Sequence, residues 1–226
     1  MKLSVTFLTI LGAVASGAHR SQGYAGSTPV GLDGYVAFAH FDCARINADS
    51  RRSRERVPIS ADCEIHVPSP DGTTEAVGMP AGDDDEHISL VVGGRPVARG
   101  LNQPMVLRWN PDSSGFLLND SGGSGRVSHL RYFNRSSHGW RESRRLGIAA
   151  DRLYRQRFDC RAGRKSYTNT SGWAWTRSGM LRVIVQEGVH SEGCLQPHDD
   201  RNVLFEVTGD PVTGRIASSR EIDTLP

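Results

Sequence analysis

Lysine is nearly absent from this chain of 226 residues: Lys2 and Lys165 stand against 25 arginines, a bias that points to genomic composition of a GC-rich bacterial kind before it points to function. Charge of one sign is missing as well. The formal net charge is +2, so overall electrostatics give no case for nucleic acid or an anionic membrane as partner. Beyond the first eighteen residues no apolar run approaches the ~20 residues that a bilayer-spanning helix needs. Alternating strand and helix patterns are absent too, which excludes a parallel α/β sheet. No coherent catalytic set is present, and Ser124 lacks the following glycine of a nucleophile elbow.

What is there begins with an export signal. Lys2 gives a positive start, Leu3 to Ala15 are apolar or small, and Ser16, Gly17 and Ala18 suit a signal peptidase. Cleavage is expected near Ala18 or Ala15, and no cysteine lies close enough to support a lipoprotein anchor. The expected organisation is a signal peptide over 1–18, a polar Gly/Ser-rich lead-in over 19–33, and one β-rich domain over 34–226. The expected compartment is the periplasm or the cell exterior.

Four cysteines in an exported chain read as disulfides. Of the three possible pairings, Cys43 with Cys63 and Cys160 with Cys194 close the shorter loops. Each bond stabilises by roughly 2–4 kcal/mol.

Strand patterns follow one another along the chain. Tyr35 to Phe41 is apolar at nearly every position, and Cys63, Ile65 and Val67 alternate with Glu64 and His66. Between them, Arg51, Arg52, Arg54 and Arg56 read as a solvated loop. Residues 79–87, with the acidic run Asp83 to Glu86, also read as loop. Ile88 to Val92 ends at a Gly93-Gly94 hairpin turn. Met105 to Trp109, Phe116 to Leu118, Val127 to Phe133, Leu181 to Val185 and Val203 to Val207 complete the strands, with a closing hairpin at Gly209-Asp210-Pro211. After Ser218 the pattern is polar and uninformative. One helix is expected at 145–157, where Leu146, Ala149, Ala150, Leu153 and Tyr154 recur at helical spacing; Gly147 counts against it. The fold class is therefore mainly β: an antiparallel meander, sandwich or propeller-like sheet with one short helix.

One turn recurs. Ser69-Pro70-Asp71-Gly72 and Asn110-Pro111-Asp112-Ser113 each follow a strand, 41 residues apart, and Thr176-Arg177-Ser178-Gly179 after Trp175 is a third, weaker copy. Pro presets the first turn angle, Asp bonds back to the turn, and a small residue leaves it. Trp109 to Phe133 resembles the TolB-type β-propeller repeat, in which Trp-Ser-Pro-Asp-Gly joins two inner strands. Asn110 replaces the family's Ser, and the third copy lacks Pro and Asp. The resemblance implies a blade from Ile88 to Phe133, with blades of about 40–45 residues, and a protein-binding platform in the periplasm.

The candidate sites are few. Asp120-Ser121-Gly122-Gly123 looks like the nucleophile segment of chymotrypsin-like proteases, with His129 or His40 as base; as structure it is a glycine-rich hairpin loop. His190, Cys194 and His198 stand at four-residue intervals beside Glu192, a spacing that suits zinc or copper, although a disulfide-bonded Cys194 is no ligand. Trp109 and Trp175 are expected in the core. Trp173, sharing a face with Trp175, stands between core and an aromatic binding face. The residues assigned to binding are Trp173, His190, Glu192 and His198, with no catalytic residue, metal or cofactor assigned. The function expected is a non-catalytic binding or structural module for a protein or cell-envelope partner. The alternatives are a hydrolase using Ser121 and a metal-binding protein using His190 and His198.

Overall fold

Each turn signal closes an antiparallel hairpin, and the hairpins merge into three antiparallel sheets, the second of which also takes up a short strand from ahead of the first. The computed structural model describes residues 42–53, 57–81, 84–102, 105–120, 129–160, 168–187 and 204–223. The first sheet is β2 (Ile65–Pro68), β3 (Glu75–Ala81), β4 (Asp84–Val92) and β5 (Arg95–Asn102), in that spatial order. The second runs β1 (Val57–Ile59), β6 (Met105–Trp109), β7 (Gly115–Asp120), β8 (His129–Ser136), β9 (Gly139–Ser143). The third is β10 (Thr168–Trp175), β11 (Leu181–Glu187), β12 (Leu204–Gly209) and β13 (Ile216–Ile222). Two helices join them, α1 (Cys43–Ser53) and α2 (Arg145–Arg157).

The mainly antiparallel β expectation holds, with a second helix added. Asp42 starts α1 by accepting a hydrogen bond from the Arg45 amide at 3.0 Å, the geometry of an N-cap. Arg51 and Arg52, expected in a loop, lie in its last turn, where cations favour the helix dipole. Arg54 and Arg56, like Tyr35 to Phe41, fall outside the described residues. The loop expected over 79–87 is largely strand: β3 runs to Ala81 and β4 begins at Asp84. Ladder pairing of Met79 with Ser89 and Pro80 with Ile88 overrides the poor strand propensity of this stretch. The polar stretch after Ser218 is likewise strand as far as Ile222, paired with β12.

The blade expected from Ile88 to Phe133 straddles two sheets. The break falls between Asn102 and Met105, and the sheet that holds Trp109 ends at Ser143. The second sheet is apolar on both faces because it packs on both neighbours. Phe116, Leu118, Trp109 and Phe133 face the first sheet's Ile65, Val67, Ile88 and Leu90. Leu117 and Leu130 face Leu181, Val183, Val185, Phe205 and Val207, with Leu146, Ala150 and Tyr154 of α2. Every residue of β7 is consequently buried.

Helix α2 has the expected bounds. Gly147, which weakened the sequence case, is where the helix meets β8: a Cβ there would lie 3.3 Å from the Leu130 carbonyl oxygen. Helix α1 instead covers the free edge of β2. The Asn47 side chain donates to the Glu64 carbonyl at 3.0 Å and accepts from the His66 amide at 2.7 Å, while Ser50 donates to the His66 carbonyl at 2.6 Å. These side chains bond the edge as another strand would. The expected Cys43–Cys63 disulfide fastens the helix there.

Candidate functional site

The three copies of the recurring turn each join two neighbouring antiparallel strands: β2 to β3, β6 to β7, and β10 to β11. Their bonding is the same. The Gly72 amide donates to Ser69, Ser113 to Asn110 and Gly179 to Thr176, at 2.9, 2.9 and 3.1 Å. The donors all have positive φ, at 71°, 62° and 76°, which explains glycine at two of them. Neighbouring turns also touch: the Asp71 amide donates to Ser113 Oγ at 3.1 Å, and Trp109 Nε1 donates to the Val67 carbonyl at 3.0 Å. Hydrogen bonds from Ser69 and Thr73 hold the Asp71 carboxyl down at about 2, against an ordinary 3.8.

Trp173 sits just before the third turn, at a β-bulge. The register of β10 on β11 slips between Gly172 and Ala174, so two residues of β10 oppose one. Trp173 and Trp175, which simple alternation puts on one face, therefore lie on opposite faces. Trp175, half-buried, packs with the α2-side core and meets Tyr132 edge-on at 5.8 Å. Trp173 is turned to the far side, beside Ile184, Leu204 and Ile222. Trp109 is core as expected, at 2% exposure.

A charged ladder crosses the third sheet beside Trp173. The Arg182 guanidinium stacks over its ring at 5.6 Å. Arg182 Nε donates to Glu206 Oε2 at 2.9 Å, and Arg220 Nε donates to Glu206 Oε1 at 3.0 Å. Glu206 is 5% exposed, so its charge is covered while Arg220 remains at the surface. Arg108 of β6 donates to the Trp173 carbonyl, which ties the bulge to the second sheet. The Trp173 indole N–H is buried and, among the described residues, has no acceptor. The arrangement is a held aromatic ring, an unused donor and two guanidiniums sharing one carboxylate. Arg182, Glu206 and Arg220 escape sequence reading because each belongs to a different strand.

The other sequence-derived residues divide plainly. His190, Glu192, Cys194, His198, Ser121 and His40 lie outside the described residues. Cys160 is disulfide-bonded; its expected partner Cys194 is one of those residues. His129 is exposed at the start of β8, opposite Asp120 in register. Asp120 is engaged by Arg131 at 3.4 Å, and Arg131 also holds Glu142 with two bonds of 2.9 and 2.8 Å. Burial pushes the Glu142 carboxyl up, but Arg131 and Arg144 outweigh it and keep it below its ordinary value. Among the described residues no group of three His, Cys, Asp or Glu is placed to hold a metal ion, and no helix is long and apolar enough to cross a membrane. In comparisons with known proteins, no family model matches the chain, and no curated protein or solved structure matches it either.

Proposed function

We propose that the chain is an exported, non-catalytic binding module for a protein or cell-envelope partner, which it engages through the face around Trp173. The observation that carries this reading is the bulge, which turns Trp173 away from the α2-side core and sets its ring under the Arg182 guanidinium beside Ile184. The half-buried Trp173 ring, stacked under Arg182 beside the Arg182–Glu206–Arg220 ladder, favours a ligand that joins an apolar or sugar face to a negative charge. The periplasm-type setting rests on the signal-like start and the Cys43–Cys63 bond. A protein-binding platform is also what the TolB-type resemblance of Trp109 to Phe133 implies.

The test is co-sedimentation of the mature protein with purified cell-envelope fragments, comparing wild type with Trp173→Ala and Arg220→Ala. Retention that falls at least tenfold in the Trp173 variant, with an unchanged melting temperature, supports the reading. Undiminished retention removes this face from the function. Turnover of an ester, peptide or glycan that a single substitution abolishes replaces the binding module by an enzyme.

A further inference from the structure

Helix α2 presents a second surface on the opposite side of the third sheet from Trp173. Its inner residues Leu146, Gly147, Ala150 and Tyr154 are buried. On the outer side, Arg145, Ile148, Arg152 and Gln156 recur at three- and four-residue steps and are all exposed. Ile148 is 55% exposed, and the only other large apolar side chain exposed among the described residues is Val212, at 40%. The two are brought together by the fold. Val212 belongs to the β12–β13 turn, which docks on the start of α2: Ser143 Oγ donates to the Pro211 and Val212 carbonyls at 2.8 and 3.3 Å. In the same turn, a Cβ on Gly214 would lie 2.9 Å from that of Arg145. The turn that carries Val212 is therefore seated beside Arg145, about one helical turn before Ile148.

The charge of this strip is as uneven as its hydrophobicity. Arg144 and Arg157 are paired, with Glu142 and Glu221. Arg155 is held by both oxygens of Asp151, at 2.9 and 3.0 Å, and Thr168 also bonds Asp151. The one carboxylate on the strip is thus neutralised from within. Arg145 and Arg152 make no ion pair among the described residues. Beside Ile148 lies a shallow groove of about 380 Å³, lined by Ile148, Asp151, Arg152, Arg155, Gln156 and Cys160. Its floor is stiffened by the Asp151–Arg155–Thr168 contacts and the Cys160 disulfide.

We propose that the Val212–Arg145–Ile148–Arg152 strip and its groove form a docking site for an extended acidic peptide segment carrying interleaved apolar residues. From Arg145 to Gln156 the helix rises about 17 Å, the reach of roughly five extended residues. The partner's carboxylates meet Arg145 and Arg152, and its apolar side chains cover Ile148 and Val212. Two apolar side chains are too few to insert into lipid, which favours a peptide over a membrane surface.

The experiment is fluorescence anisotropy of the full mature chain with a labelled hexapeptide alternating leucine with aspartate or glutamate. Two control peptides carry the amides in place of the acids, or serine in place of leucine. Saturable binding to wild type is expected, weakened roughly tenfold by each control peptide, by Arg145→Ala with Arg152→Ala, and by Ile148→Asp, and weakened further by salt. Trp173→Ala leaves it unchanged, so this result and that for the Trp173 face are separable. All four substituted residues are exposed or half-buried, and an unchanged melting temperature confirms folding. Absence of binding, or equal binding by wild type and the strip variants, overturns the proposal. Co-sedimentation with anionic phosphatidylglycerol vesicles that the arginine variant abolishes, without peptide binding, assigns the strip to lipid and overturns it too.

Discussion

Replacing Cys43 and Cys63 together by serine tests how the N-terminal helix is held. Their bond spans a sequence separation of 20, and closing a loop of that size in the unfolded chain is worth about 3 kcal/mol. What remains without it is an eleven-residue helix, too short to persist by itself. It is held by Ile46 and by the three bonds from Asn47 and Ser50, each worth about 1 kcal/mol. The covalent link is therefore about as large as all the polar contacts that it supports. Substitution is the right perturbation, because a reductant would also attack the disulfide at Cys160. We expect a loss of about 3 kcal/mol in denaturant unfolding, and exchange of the His66 amide faster by about two decades, since 1.4 kcal/mol is a factor of ten. Amides of Leu117 and Val183, in strands buried on both faces, keep their relative protection. A double variant within about 0.5 kcal/mol of wild type, with His66 still protected, would refute the idea that the disulfide holds α1 on the β2 edge.

Three further outcomes are expected. Phe116→Ala, which empties a buried ring site stacked on Phe133 at 4.9 Å, should cost about 3–5 kcal/mol in denaturant unfolding. Gly179→Ala should cost about 1 kcal/mol through its φ of +76° alone, because nothing lies within 4 Å of the new methyl group. Asp71 has a depressed carboxyl, at about 2 against 3.8, so the unfolded chain takes up the proton first as pH falls. Its stabilising effect is complete above about pH 4 and is lost between there and pH 2; thermal melts across that window should lose this part of their slope in Asp71→Asn.

Much of the local structure was legible in the residues. The bounds of α2, the Gly93-Gly94 hairpin and all three copies of the Pro/Asp/Gly-type turn were readable, since each depends on backbone angles and side chains a few positions apart. The Cys43–Cys63 pairing was readable from loop length. Helix α1 was hidden because its apolar side is thin, and Asn47 and Ser50 do with hydrogen bonds what larger side chains usually do by packing. The candidate site was only half legible. Trp173 could be singled out, but the ladder beside it could not.

Strand period and turn chemistry are local properties, so the β class, the places where the chain turns and the residues that must be covered follow from the residues alone. Long-range packing divides the strands into three sheets, since an antiparallel hairpin reads the same whether its neighbour joins the same sheet or the next. It also decided which way Trp173 points, because a single bulge reverses the alternation that sequence alone assumes. It gathered Arg182, Glu206 and Arg220 from three strands, and Ile148 and Val212 from a helix and a distant turn, through packing between residues far apart in the chain.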